Sequence, residues 1–174
     1  MTEKQAGPVR DREFRNGRQV GDALYRIDDV LGDVAEVYRG AVLATGPRYY
    51  DGAQVAAWAA AAERPTELGR MLGRGLAVLR HVAGRPAAVG QIDDGGHIGL
   101  LYVHGDFGRQ GHGTAMLQRL IAHARQEGAR ELSVDASYFS ARLFAKHGFT
   151  ADYEEHAAFG GQRFRRWRMR RPVG

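Results

Sequence analysis

Gly108-Arg109-Gln110-Gly111-His112-Gly113-Thr114 is a glycine-punctuated loop between a run patterned as a strand and a run patterned as a helix. Upstream, His97-Ile98-Gly99-Leu100-Leu101-Tyr102-Val103 is apolar with β-branched and aromatic members. Downstream, Met116, Leu117, Leu120, Ile121 and Ala124 recur at helical spacing. The loop therefore reads as a strand-to-helix turn. The first amides of a helix have no intrahelical acceptor and lie at the positive end of its dipole, and glycine lets them approach an anion without a Cβ clash. A pyrophosphate suits such a turn.

Three nucleotide-site templates can be laid on the loop. A P-loop needs lysine after its second spaced glycine, but Gly113 is followed by Thr114. A dinucleotide G-x-G-x-x-G starting at Gly111 requires glycine where Met116 stands, and no βαβ context precedes it. The third template, Q/R-x-x-G-x-G/A, fits at Gly111 and Gly113, with Gly108 in the place of the usual Gln or Arg and with Arg109 and Gln110 beside it. Through this motif the chain resembles the GNAT N-acetyltransferase superfamily from about Tyr25 onward. Leu101–Phe107 is similar to that family's fourth strand and its exit. Ser137–Phe149 resembles its helix four, which ends in a Gly-Phe pair, and Tyr49–Trp58 is similar to a second-helix segment of one bacterial branch.

The resemblance implies a three-layer α/β fold: a mixed, mostly antiparallel seven-stranded sheet with about four helices on both faces. It implies acetyl-CoA as cofactor. The amides of Arg109, Gln110, Gly111, His112, Gly113 and Thr114 would wrap its pyrophosphate, with the Thr114 hydroxyl as a further contact. The backbone of Leu101, Tyr102 and Val103 would line the pantetheine arm where strand four splays from strand five at a bulge, for which Gly99 is the candidate. Ser137 and Phe144 join the cofactor contacts, and the Val103 amide, or one beside it, would be the oxyanion donor.

Several family members place a glutamate base six residues before the end of strand four; here that position is His97. Histidine, with an ordinary pKa of about 6.5, is largely neutral at pH 7 and suited to take a proton from an ammonium of pKa about 10. The bland alternative is a hairpin-end histidine with no task, and His104 and Asp106 are weaker candidates for the base. The family's acid is a helix-four tyrosine, but Phe144 stands there. Either Tyr138 or Tyr153 substitutes, or a thiolate of pKa about 8.5 leaves unaided. Phe144 reads equally as core packing. His97, His104 and His112 lack metal-ligand spacing, so no metal is expected, and His112 reads as exposed.

Acceptor contacts are sought in Tyr49, Tyr50 and Trp58 and in the final hairpin with Asp152 and Glu154. Aromatic and acidic groups suit a small cationic amine, attacked directly in a ternary complex. Core packing explains Trp58 equally well. Protein lysine or a peptide N-terminus is the alternative acceptor, and a non-catalytic CoA-binding or interaction module is the alternative from another class.

At 174 residues and 44% hydrophobic content the chain is long enough for one domain with a real core. It has no cysteine, and residues 1–19 are polar, which makes them neither signal peptide nor membrane span. A flexible segment over 1–19, a single domain over 20–174 and a cytoplasmic setting without membrane contact are expected. A homodimer is the default assembly. The net charge is +5, and Arg163, Arg165, Arg166, Arg168, Arg170 and Arg171 exceed it by themselves. That arginine strand is either a nucleic-acid surface or a solvated strand, and the latter is preferred.

Periodicity adds a strand at Ala23–Ile27 and a helix with the stripe Val30, Val34, Val37, Tyr38 and Val42. A second helix runs from Gly52 to a break at Glu63-Arg64-Pro65, and strands follow at Leu76–Val82, Ala87–Ile92, Glu131–Asp135, Thr150–Phe159 and Gln162–Arg170.

Overall fold

The computed structural model describes residues 7–21 and 24–174. Among them eight strands form one sheet in the order β2-β1-β3-β4-β5-β6-β8-β7. These are β1 (Val9–Arg15), β2 (Arg18–Gln19), β3 (Leu76–Val82), β4 (Arg85–Ile92), β5 (His97–Val103), β6 (Glu131–Ala136), β7 (Thr150–Phe159) and β8 (Gln162–Pro172). Neighbours are antiparallel except β5 and β6, which run parallel. Helices α1 (Leu31–Thr45), α2 (Gly52–Ala59) and α3 (Pro65–Leu72) cover one face; α4 (His112–Gln126) and α5 (Ala141–Lys146) cover the other. The three-layer architecture is the one expected, with eight strands instead of seven.

The additional pairing comes from the segment expected to be flexible. Val9–Arg15 pairs with β3 along its whole length, from Val9 opposite Val82 to Arg15 opposite Leu76. Phe14 is fully buried on one face, worth about 1.5–3 kcal/mol. On the other face Asp11 binds Arg80 at 2.7 Å and Glu13 binds Arg119 at 2.6 Å. Its apolar pattern is too sparse to announce a strand, because long-range ion pairs take the place of burial. Of the strand expected at Ala23–Ile27, Ala23 lies outside the described residues. The rest is a turn, with Arg26 making a single bridge to Arg18, that runs into a 3-10 turn over Ile27–Val30.

The stripe expected on α1 is buried at Val34, Val37, Tyr38 and Val42. Asp51 starts α2 as a capping box: its carboxylate accepts the Gln54 amide at 2.8 Å, and Gln54 Oε1 accepts the Asp51 amide at 3.0 Å. The helical run from Gly52 ends as expected at Glu63, after a 3-10 turn over Ala60–Glu63, and α3 then opens at Pro65. Pro65 occupies the first helical position, where a missing amide goes unneeded, and Leu68 and Leu72 bury against α1.

The feature that positions the site lies between β5 and β6. They share two rungs, His97 with Ser133 and Ile98 with Val134, and then separate. On the other side of β5, Ile98 pairs with Ile92 and Leu100 with Gln91, which leaves Gly99 as the extra residue of a β-bulge. A Cβ on Gly99 would lie 2.5 Å from the Gln91 side-chain oxygen, so a larger residue there would have to displace the buried Gln91 side chain.

Candidate active site

The bulge decides which backbone groups of β5 stay unpaired. The His104 amide donates to the Ala87 carbonyl at 2.9 Å. By alternation Tyr102 also turns its backbone toward β4, while Leu101 and Val103 turn theirs toward the side that β6 has left. These N–H and C=O groups form a short open strand edge inside the sheet.

The glycine loop closes on this edge. Arg109 (φ +61°) and Gly111 (φ +83°) are left-handed and turn the chain into α4, whose first turn has no side-chain cap. The amides of His112, Gly113 and Thr114 therefore have no partner within the helix. A Cβ on Gly113 would lie 3.6 Å from Val103 Cγ2 and 3.4 Å from Leu143 Cδ2, so this turn abuts the end of β5. An uncapped helix start beside an open strand edge fits a diphosphate with a chain attached. The left-handed backbone falls on Arg109, and the neighbouring Gly108 is extended, which costs about 1–2 kcal/mol that glycine at 109 would avoid.

His112, expected to be exposed, is buried. Its Nδ1 lies 3.5 Å from the Arg80 guanidinium, which is held in a two-pronged pair with Asp11. Burial, and then the Arg80 charge, pull its pKa below the ordinary value, so the ring is a neutral anchor tying α4 to β3 and β1.

On the face of α1 to α3 the gap opens into a cavity of about 690 Å³. One end is aromatic. Tyr38 and Tyr102 lie tilted against each other with ring centres 4.4 Å apart, Trp58 Nε1 donates to the Tyr102 hydroxyl at 3.2 Å, and Tyr50 stands edge-on to Trp58 and Phe164. Burial raises the pKa of Tyr38 and Tyr102, so both stay protonated. The other end holds His97, Gln91, Asp93 and Asp135. His97 Nδ1 lies 2.9 Å from Ser133 Oγ, and its amide donates to Asp93 at 2.8 Å. Burial pulls its pKa below the ordinary value, and the Asp135 carboxylate offsets this only in part, so the ring is neutral at pH 7.

Of the expected residues, Leu101, Tyr102, Val103, the loop Arg109–Thr114, His97, Tyr50, Trp58 and Ser137 come together around the gap and cavity. Others do not. Phe144 is 1% exposed and packs against Phe149, so its side chain is core. Tyr138 donates to Glu154 at 2.9 Å, which commits the proton an acid would give, and Tyr153 is an exposed residue of β7. Tyr49 is exposed beside Phe139. Asp152 pairs with Arg170, and Glu154 with Arg165 at 2.7 Å, so neither faces the cavity as an acceptor contact. His104 packs against Gly40 of α1, its Nδ1 accepting the Asp106 amide, and Asp106 pairs with Arg85.

The arginine strand is mostly neutralised within the sheet. Arg165 pairs with Glu154, Arg166 with Glu155 and Asp135, Arg168 with Asp135, and Arg170 with Asp152 and Glu131. Sequence reasoning missed Tyr38 as a cavity wall, together with Ser133, Asp135, Gln91, Arg70 and Arg74. The alternation Leu132-Ser133-Val134-Asp135 was a usable signal: two polar residues on one face of an otherwise buried central strand.

A profile of the acetyltransferase (GNAT) domain matches residues 48–171. The chain belongs to the GNAT family of acetyltransferases. Solved structures similar to this GNAT chain include a GCN5-related N-acetyltransferase from Rhodopseudomonas palustris, with TM-score 0.81 and 23% identity over 98% of this chain and 99% of that one. PaiA N-acetyltransferase from Thermoplasma acidophilum, in complex with coenzyme A, aligns with TM-score 0.69 and 13% identity over 95% and 99%. YncA from Salmonella typhimurium, with its cofactor acetyl-CoA, aligns with TM-score 0.62 and 19% identity over 95% and 94%. A search of curated proteins returns no significant match. Among the described residues no helix is long and apolar enough to cross a membrane. GNAT members are acetyl-CoA-dependent enzymes, and the uncapped turn and open edge described above fit that cofactor.

Proposed function

We propose that this GNAT protein acetylates the primary amine of a small molecule, with acetyl-CoA and amine bound at once. The observation that carries this reading is the open edge of Leu101 and Val103 beside the uncapped first turn of α4, next to an aromatic cavity lined from β5 by Gly99, Leu100 and Tyr102. Acetyl-CoA, when bound, supplies the thioester. The amides of Gly111 to Thr114 hold its diphosphate, and the edge of β5 receives its arm as an added strand would be received. The Val103 amide, turned into the gap, donates to the carbonyl oxygen as charge develops there.

His97 is the base. In the tautomer that gives its Nδ1–H to Ser133 Oγ, Nε2 carries the lone pair that takes a proton from the amine directly or through water. No side chain is assigned as acid: Phe144 is core, the Tyr138 proton is bonded to Glu154, and a thiolate of pKa about 8.5 departs without one. The aromatic walls suit an amine carried on a compact apolar body. The cationic acceptor read from Asp152 and Glu154 loses that support, because both carboxylates are spent in ion pairs of the sheet.

Calorimetric titration with acetyl-CoA, followed by thiol release against a panel of amines and peptides, tests the reading. Binding together with thiol release on a small amine is the expected result. Binding with no release on any amine would make the protein a CoA-binding module.

A further inference from the structure

The charges around the cavity are unequal in a way that bears on the acceptor. Seven charged side chains line it. Glu67 is paired with Arg64, Arg165 with Glu154, and Arg166 with both Glu155 and Asp135, the last of which also holds Arg168. Asp93 Oδ1 is taken up by the amides of Gly95 and His97. Arg70 on α3 and Arg74 just after it remain. Among the described residues neither side chain has an ion pair or a hydrogen bond, and both are exposed at the cavity. The cavity thus offers a substrate two free guanidiniums and no free carboxylate on the aromatic side. These two guanidiniums repel a polyamine and give a carboxylate a two-pronged partner.

We propose that the acceptor is an amino acid with an apolar side chain: its carboxylate held by Arg70 and Arg74, its side chain against Trp58, Tyr38 and Tyr102, and its α-amine directed to the gap beside His97. This rests on the transferase reading above and specifies its substrate. The α-nitrogen forms a C–N bond to the acetyl carbon as the C–S bond breaks, CoA leaves as its thiolate, and the proton lost from the nitrogen goes to His97. Guanidinium hydrogen bonds to a carboxylate are the strong kind, so their loss is expected to weaken use of the amino acid by roughly ten- to a hundredfold.

Thiol release from acetyl-CoA is to be measured for methionine, leucine, phenylalanine and tryptophan, for their amides, and for spermidine. The expected result is that at least one amino acid exceeds its own amide tenfold or more in kcat/KM and that spermidine is poor. In Arg70→Gln and Arg74→Gln the ratio of amino acid to amide falls toward one, chiefly through KM, and Arg70→Lys and Arg74→Lys recover part of it. Amides or spermidine turned over as well as the amino acids would overturn the proposal and leave the transferase reading standing. So would an undiminished ratio in the double variant Arg70→Gln/Arg74→Gln. Acetyl-CoA binding without thiol release from any of these amines or from the wider panel would overturn both.

Discussion

Two stretches of the same sheet treat polarity in opposite ways. At β5 and β6, pairing stops after two rungs, and the backbone groups of Leu101 and Val103 are left facing open space. At β8, pairing with β6 and β7 is continuous, and arginine after arginine is matched to a carboxylate of those neighbours. The first stretch carries no formal charge in its backbone and yet supplies the donors a substrate would use. The second carries six of the chain's 25 lysines and arginines, more than its net charge of +5, and has little of that charge free. Unsatisfied polarity, more than formal charge, marks where this fold can act.

The contrast fails outright if the open stretch can be filled without consequence. Gly113→Val puts branched carbon between the first turn of α4 and Val103, and acetyl-CoA affinity is expected to drop a hundredfold or more by calorimetry, since in the proposed site the diphosphate lies against that turn. His97→Ala is expected to lower kcat/KM by about 10²–10⁴, the range of a general base. In the native enzyme the base must be neutral, and its pKa is lowered. Activity is therefore expected to hold as pH falls past about 6.5 and to decline only below it, an acidic limb that His97→Ala lacks.

Asp135 belongs to both stretches, since it pairs with Arg166 and Arg168 and faces His97 in the cavity. Asp135→Asn is expected to cost about 1–2 kcal/mol in denaturant unfolding, more than an exposed pair, because it strands the half-buried Arg168 guanidinium and leaves Arg166 with Glu155 alone. It also removes a charge that raises the His97 pKa, so the acidic limb is expected to move to still lower pH. The smallest effect is at the loop. Arg109→Gly relieves a left-handed backbone and is expected to stabilise the fold by about 0.5–1 kcal/mol, glycine's extra freedom in the unfolded chain offsetting the rest.

The legible parts of the sequence share one property, that their signals are local. The loop glycines, the α4 stripe, the Asp93–Gly96 hairpin and the bulge at Gly99 all depend on residues within a few positions of each other, and all were read in place. The unread parts depend on partners far along the chain. β1 is held by Arg80 and Arg119, about seventy and a hundred residues on. The carboxylates Asp152 and Glu154 looked available until β8 came alongside β7. His112 looked exposed until β1 and β3 supplied the Arg80 and Asp11 pair beneath it. α3 was hidden for a local reason, since proline both breaks a helix and begins one.

Glycine spacing, apolar periodicity and turn residues were enough to specify alternating strands and helices and the strand-to-helix turn at Gly108–Thr114, because backbone conformation answers to nearest neighbours; the three-layer layout came from the resemblance to GNAT members. Which charges remain free to meet a substrate is a property of pairs brought together from distant strands, and only the folded sheet sets those distances. That is why Arg70 and Arg74 stand out only once every other charge around the cavity has found its partner.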